Sequence, residues 1–213
     1  MSRRIFLLSP ARADGERAQV LLRGGGVMGG RLRRGEAIPI GELFTFLSGL
    51  YFRGKLAYAR QFGDPPRGLA GSYVITTNCG LVSPETTMTL SQMQALAKNQ
   101  IDLSDKHYCR TLRNSATAVA EKLPKQSQIV LLGSIATGKY VDLLLEIFED
   151  RLLFPIEFVG RGDMSRGGLL LRCAADEVEL NYVPVRGAIR HGTRPPKLTP
   201  RRYGAFGTAD TSK

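Results

Sequence analysis

The octapeptide Gly133-Ser134-Ile135-Ala136-Thr137-Gly138-Lys139-Tyr140 carries the strongest chemical signal in the chain. It spells G-x-x-x-x-G-K-Y between an apolar run and a helical pattern. Its glycines let the backbone turn tightly and present N–H groups to an anion. The amino end of the following helix adds partial positive charge, and Lys139 adds a full one. The spacing is that of a P-loop except at its last position, where Tyr140 replaces the Ser or Thr that would hold magnesium. A tyrosine hydroxyl lies too far from the backbone to replace that ligand, and no strand ending in an acidic residue supplies a second one. Three readings follow: a magnesium-free phosphate or nucleotide cradle, a degenerate P-loop enzyme, and a plain tight turn.

A second cluster, Gly160-Arg161-Gly162-Asp163-Met164-Ser165-Arg166-Gly167-Gly168, is expected to put two guanidiniums, a carboxylate and a hydroxyl on a four-glycine loop immediately before a strand. Arginine forks match phosphate oxygens, and glycines allow close approach. Asp163 is a candidate to bond a ribose hydroxyl or act as a base; the plain alternative is an Arg–Asp pair stapling a surface turn. A third loop, Asn78-Cys79-Gly80-Leu81-Val82-Ser83-Pro84-Glu85, follows a predicted strand. Asn78 and Gly80 are candidate contacts there and Glu85 a second candidate acid or base, against a plain turn that opens the next element. Ser9 and Arg12 follow the first predicted strand and belong to the same sheet edge if that strand is parallel to the others. Tyr51, Arg53 and Lys55 are further possible contacts, or simply core and surface of an ordinary helix.

No other chemistry stands out. Cys79, Cys109 and Cys173 are widely separated and odd in number, which fits a reducing compartment and packed thiols rather than a disulfide framework. His107 and Cys109 form an H-x-C pair without a matching second pair, so neither a metal site nor a cofactor is expected. His107 and His191 are the only histidines, and no Ser-His-Asp or Cys-His context is evident.

Charge points to a polyanionic partner. The net charge is +11, and it sits at the two ends: residues 1–35 hold eight arginines against Asp14 and Glu16, and residues 186–213 hold five arginines and two lysines against Asp210. Arg190, His191 and Arg194 in the second run are candidate nucleic-acid contacts, with solubilising tails and a protein partner as the other readings. The longest mostly apolar stretch, residues 43–52, is too short for a membrane span, and the apolar run at 5–8 is too short for a signal peptide. A cytoplasmic protein with no membrane partner is the expectation.

The elements that must position these groups follow from periodicity. Residues 5–8 read as a short buried strand, 73–77 as a second, and 129–132 as a central strand covered on both faces. Residues 41–62 are helical in spacing, with a break possible at Gly49 or Gly54. A short Thr- or Ser-capped helix is expected over 89–97, a longer one over 108–123 ending at Pro124, and a third from near Lys139, with Val141, Leu144, Leu145 and Phe148 on its apolar face. The glycine-rich stretch 24–35 reads as a mobile loop, and residues 169–172 and 178–183 as an edge hairpin. Together these predict an α/β domain over residues 1–185, with a Rossmann-like, mostly parallel sheet flanked by helices, and a basic, partly extended tail over 186–213.

The segments FLLSPAR and LYFRGKLAYAR, with VITTNCGLVSPE, resemble the YaaA-like, peroxide-stress-type bacterial proteins, in which an early L-S-P-A segment and a later S-x-x-Y-G-L-hydrophobic-x-P loop recur. The stretches GSIATGKY and GRGDMSRGG look like those of an uncharacterised bacterial family. The resemblance implies an α/β protein linked to DNA and stress that binds nucleic acid. It carries over onto Ser9, Pro10, Ala11, Gly80, Leu81 and Pro84; Asn78-Cys79 stands where the family has Tyr before Gly-Leu. The combined expectation is a nucleotide or nucleic-acid phosphate bound between the Gly133 and Gly160 loops, with a nucleobase or glycosidic bond as the point of any reaction, or a non-catalytic nucleic-acid-binding accessory protein.

Overall fold

In a computed structural model, residues 3–199 are described. Four strands rich in Ile, Leu, Val and Phe form the parallel centre of a six-stranded sheet: β1 (Arg4–Leu8), β3 (Ser72–Ile75), β6 (Gln128–Leu132) and β7 (Leu152–Pro155). Two short antiparallel strands, β4 (Leu81–Val82) and β8 (Tyr182–Pro184), close the edges, giving the order β4-β3-β1-β6-β7-β8. A separate two-stranded ladder pairs β2 (Ile38–Pro39) with β5 (Thr87–Met88). The fold is therefore α/β with a mixed, mostly parallel sheet.

Eight α-helices are present among the described residues: α1 (Glu16–Leu22), α2 (Gly26–Arg33), α3 (Ile40–Ser48), α4 (Leu50–Phe62), α5 (Leu90–Lys98), α6 (Lys106–Lys122), α7 (Gly138–Phe148) and α8 (Asp163–Asp176). Alternation along the central strands assigns them to two layers. Phe6, Leu8, Val130 and Leu132 pack with residues of α1 to α5 and α8, whereas Ile5, Leu7, Ile129 and Leu131 pack with α6 and α7. Both faces of β1 and β6 are sealed, which is why each reads as a continuous apolar run. No helix among the described residues is long and apolar enough to cross a membrane.

Most sequence expectations hold, and three differ. The helical region at 41–62 breaks at Gly49, whose φ of 59° suits glycine, while Gly54 lies inside α4. Thr89 caps α5 with a full capping box through Gln92, and α7 buries Val141, Leu144 and Phe148 as its spacing requires. The stretch expected as a mobile loop at 24–35 instead forms α2: Gly29 lets that helix approach the carbonyl of Leu21, and Leu32 is buried. Residues 169–172, expected as a strand, lie within α8, where Gly167, Leu170 and Cys173 make the buried stripe. No hairpin forms there, and only the end of the 178–183 run reaches strand geometry, in β8. The described part of the basic tail, residues 186–199, has no helix or strand and passes along α8: Gly160 closes on the Thr193 carbonyl, and Arg172 donates to the carbonyl of Thr199.

Candidate functional site

The chain leaves β1 through helices on one face and leaves β6 through α7 on the other, and β1 and β6 are neighbours. At such a divergence the carboxyl ends of the two strands cannot both be covered, so a crevice opens. A cleft of about 490 Å³ lies along this edge, walled by Pro10 to Asp14 after β1, Phe44 of α3, Thr77 after β3, Leu96 and Ala97 of α5, Asn99 to Ile101, and Lys139 of α7. That volume suits a small ligand, and the wall mixes apolar side chains with a few polar ones. Arg12 extends into solvent and bonds Asp14, whose carboxyl it holds below the usual range. Lys139 is exposed in the first turn of α7. Asp14, Asn99 and Gln100, acceptors and donors suited to a sugar or base, carried no motif that would have singled them out.

The Gly133 turn itself is closed. Tyr140 reaches back to donate its hydroxyl to the Ser134 carbonyl at 2.9 Å, and burial pushes that phenol up to about 12. A side chain at Gly133 would collide with Ser9 and with the Tyr140 hydroxyl, so glycine there permits two hydroxyls to converge. Ser134 Oγ accepts from the amide of Ala136. Thr137 is the N-cap of α7 but makes no side-chain cap; at Gly138 a side chain would collide with the Asp142 carboxylate, which folds over the helix start.

The Gly133 and Gly160 regions do approach each other. Gly133, Ser134 and Ile135 face Phe154, Phe158, Val159, Arg166 and Arg190, but the space between them is only about 10 Å³, room for one water at most. A nucleotide expected between these two loops therefore has no volume there. Arg161 donates to the Glu157 carbonyl and to Ser165 Oγ, and Arg166 donates twice to the Phe158 carbonyl while Asp163 lies 3.8 Å from it. The two guanidiniums staple the entry of α8, so Asp163, Ser165 and Arg166 stand in the first turn of a helix and not on the loop expected over 160–168, because Gly167 packs against α4. Asp163 is 71% exposed at its side chain.

The third loop splits in function. Thr77 faces the cleft, while Gly80, at φ 67°, is packed against Ser115 and Thr111 of α6. Asn78 accepts from the Cys79 thiol. Glu85 is ion-paired with Arg60 at 2.8 Å beside a separate depression, outside the cleft. In the tail, Arg190 lies 3.7 Å from Asp142 and His191 is exposed. Arg194 joins Arg161, Arg172 and Lys197 around a hollow of about 290 Å³.

The most unusual chemistry lies under the end of β1. Lys55 of α4 is 1% exposed and donates to the Ser9 carbonyl and, at 2.9 Å, to Ser9 Oγ. Its ammonium sits 4.3 Å from the ring centre of Tyr51 and 4.9 Å from that of Phe52. Burial pushes its pKa down to about 7, with Asp163 acting upward and Arg166 downward from α8. The Tyr51 hydroxyl, beside Arg166, has no hydrogen-bond partner among the described residues, and burial pushes its pKa up. The signal for Lys55 in the sequence is its position on the buried stripe of α4, four residues after Tyr51 and one before Leu56.

Compared with family models, with curated proteins and with solved structures, the chain finds no match. Function rests on the geometry alone.

Proposed function

We propose that this Rossmann-like domain binds a nucleotide, or a nucleotide unit of a nucleic acid, in the cleft at the carboxyl edge of β1, β3 and β6. The observation that carries the reading is that Arg12 and Lys139 both line a 490 Å³ cleft at the point where the connections from β1 and β6 diverge. Lys139 favours a phosphate, Phe44 and Leu96 offer apolar surface to a base, and Asp14 and Asn99 suit ribose hydroxyls. Asp142 already answers part of the helix end, so Lys139 supplies most of the attraction. Any reaction at a nucleobase or glycosidic bond belongs to the same cleft, next to Asp14 rather than Glu85. Equilibrium binding of mononucleotides, dinucleotides and short oligonucleotides tests it: Lys139→Ala should weaken binding at least several-fold, and affinity untouched by Lys139→Ala and Arg12→Ala rules the reading out.

A second reading, a non-catalytic nucleic-acid-binding accessory protein, is favoured by a different observation. Arg161, Arg172, Arg194 and Lys197 surround one hollow between α8 and the tail, a phosphate-tracking surface with no acidic side chain in its lining. Oligonucleotide binding lost on Arg194→Ala with Lys197→Ala, and mononucleotide binding absent throughout, would favour it over the cleft. The P-loop reading has less support, because the Tyr140 hydroxyl in the metal-ligand position is bonded to the Ser134 carbonyl.

A further inference from the structure

An ammonium group buried in protein costs several kcal/mol unless a counter-charge or a dense set of acceptors offsets it. Among the described residues Lys55 makes no ion pair: its hydrogen bonds go to a carbonyl and a hydroxyl of one residue, Ser9, it lies over two aromatic faces, and Asp163 acts on it from α8 against the opposing charge of Arg166. If the only task were to tether the end of β1, a neutral amide or hydroxyl would do it without burying charge. An amine that sheds its proton easily has instead been set 2.9 Å from a hydroxyl, at the carboxyl end of the central strand.

The surroundings of Ser9 fit a reacting group. Its side chain has Lys55 on one side and the Tyr140 hydroxyl on the other, and Gly133 permits that convergence. Ser9 is 8% exposed, and the next residues, Pro10 and Ala11, line the large cleft. The Tyr51 hydroxyl, more than nine-tenths buried, makes no well-formed hydrogen bond among the described residues, with Arg166 the nearby group acting on it, and it lies beside the pair with a proton free to offer an incoming oxygen. Arg166 adds positive charge from α8.

We infer that Ser9 is a nucleophile toward phosphorus and that Lys55 accepts its proton, with a phosphate ester or anhydride held in the adjoining cleft as substrate. The choice of substrate rests on the cleft reading above. In the step, Ser9 Oγ forms a bond to phosphorus while the bond from phosphorus to the leaving oxygen breaks. The hydroxyl proton passes to Lys55 Nζ and then to the leaving oxygen; water later attacks phosphorus and breaks its bond to Ser9 Oγ, and the same amine takes the proton from water and returns it to Ser9 Oγ. Neutral Lys55 is available near pH 7, where Tyr51 of α4, Tyr140 of α7 and Asp163 and Arg166 of α8 are the titratable and charged groups facing it.

An alkyl fluorophosphonate, whose fluoride leaves from phosphorus, tests the pair on the full chain. Intact mass and peptide mapping should show one adduct on Ser9, absent in Ser9→Ala. Lys55→Met should label more slowly by roughly a hundredfold, the usual contribution of a positioned base. The wild-type rate should climb as pH passes about 7. Folding of each variant is checked by circular dichroism, and should Lys55→Met not fold, the Ser9→Ala result and the wild-type pH profile decide. Folded wild type without an adduct on Ser9, or a folded Lys55→Met that labels at the wild-type rate, overturns the inference even if nucleotides bind. Labelling of Ser9 that no nucleotide slows upholds the nucleophile and removes the cleft as a nucleotide site.

Discussion

Gly54 and Gly167 meet backbone to backbone: a methyl group at Gly54 would lie 2.6 Å from the Gly167 carbonyl oxygen, and one at Gly167 would lie 2.7 Å from the Cα of Tyr51. This contact sets α4 against α8 at a spacing that only glycine allows, and the neighbours of the two glycines in sequence are Lys55 and Arg166. Neither backbone can yield cheaply. Gly54→Ala and Gly167→Ala should each destabilise the fold by about 1–3 kcal/mol through overpacking, despite the better helix propensity of alanine. Chemical denaturation reads the effect; stabilities equal to or above wild type would show that the helices have room to part.

Lys55 should make stability rise with pH. Below about pH 7 both the folded and the unfolded chain hold its proton, so the cost of burying the charge is fully present. Between about 7 and its ordinary value of 10.5, the folded form has released the proton and the unfolded chain still holds it. Unfolding then takes up a proton, and stability climbs by about 1.4 kcal/mol per pH unit. Urea midpoints between pH 6 and 9.5 should rise in wild type more steeply than in Lys55→Met. Parallel curves would mean that the amine is not desolvated in solution.

Tyr58 ties α4 to the far edge of the sheet. Its hydroxyl accepts from the amide of Leu180 at 2.8 Å and shares a 2.6 Å hydrogen bond with the Tyr182 hydroxyl. Tyr58→Phe keeps the ring against Phe6 and Phe62 but leaves the Leu180 amide unanswered. The expected loss is about 1–3 kcal/mol, the penalty for an orphaned buried donor. A neutral result in thermal melts would mean that water reaches that amide.

The two basic regions should separate by salt dependence. Lys139→Ala should weaken mononucleotide and oligonucleotide binding together and lower the slope of log affinity against log salt by about one. Arg194→Ala with Lys197→Ala, at the 290 Å³ hollow, should weaken only oligonucleotides, uniformly across sequences. Filter binding at graded salt distinguishes them, and equal effects of both changes on mononucleotides would merge the two regions into one site.

How much was legible follows from how local each signal is. β1 and β6 were readable because both faces of each strand are covered, so residues 5–8 and 129–132 had to be apolar. The cap of α5 and the stripe of α7 were readable for the same local reason. α8 was not, because Leu169, Leu170 and Leu171 in a row mimic a strand, and its helical character depends on Gly167 nesting against α4 far away in sequence. α2 was hidden by glycines that serve close packing rather than looseness. The Gly133 motif was placed correctly between strand and helix, but whether it lies open depended on where Tyr140 turned, and that torsion left no mark on the sequence. Lys55 was legible only as a possible contact within a helix; its burial, and its partner Ser9 46 positions away, needed the fold.

The pairing of β1 with β6 has a kinetic consequence. Arg4 and Gln128, joined across the two strands, stand 124 positions apart, so the middle of the sheet closes one of the longest loops the chain can form. Until Gln128–Leu132 is available, the segment from Ile5 to Leu8 has no neighbour on one side and shows water a run of four aliphatic and aromatic side chains. Refolding should therefore be slow for a chain of this length, and a trigger-factor-like holdase that shields the early segment should raise the yield more than it raises the final stability.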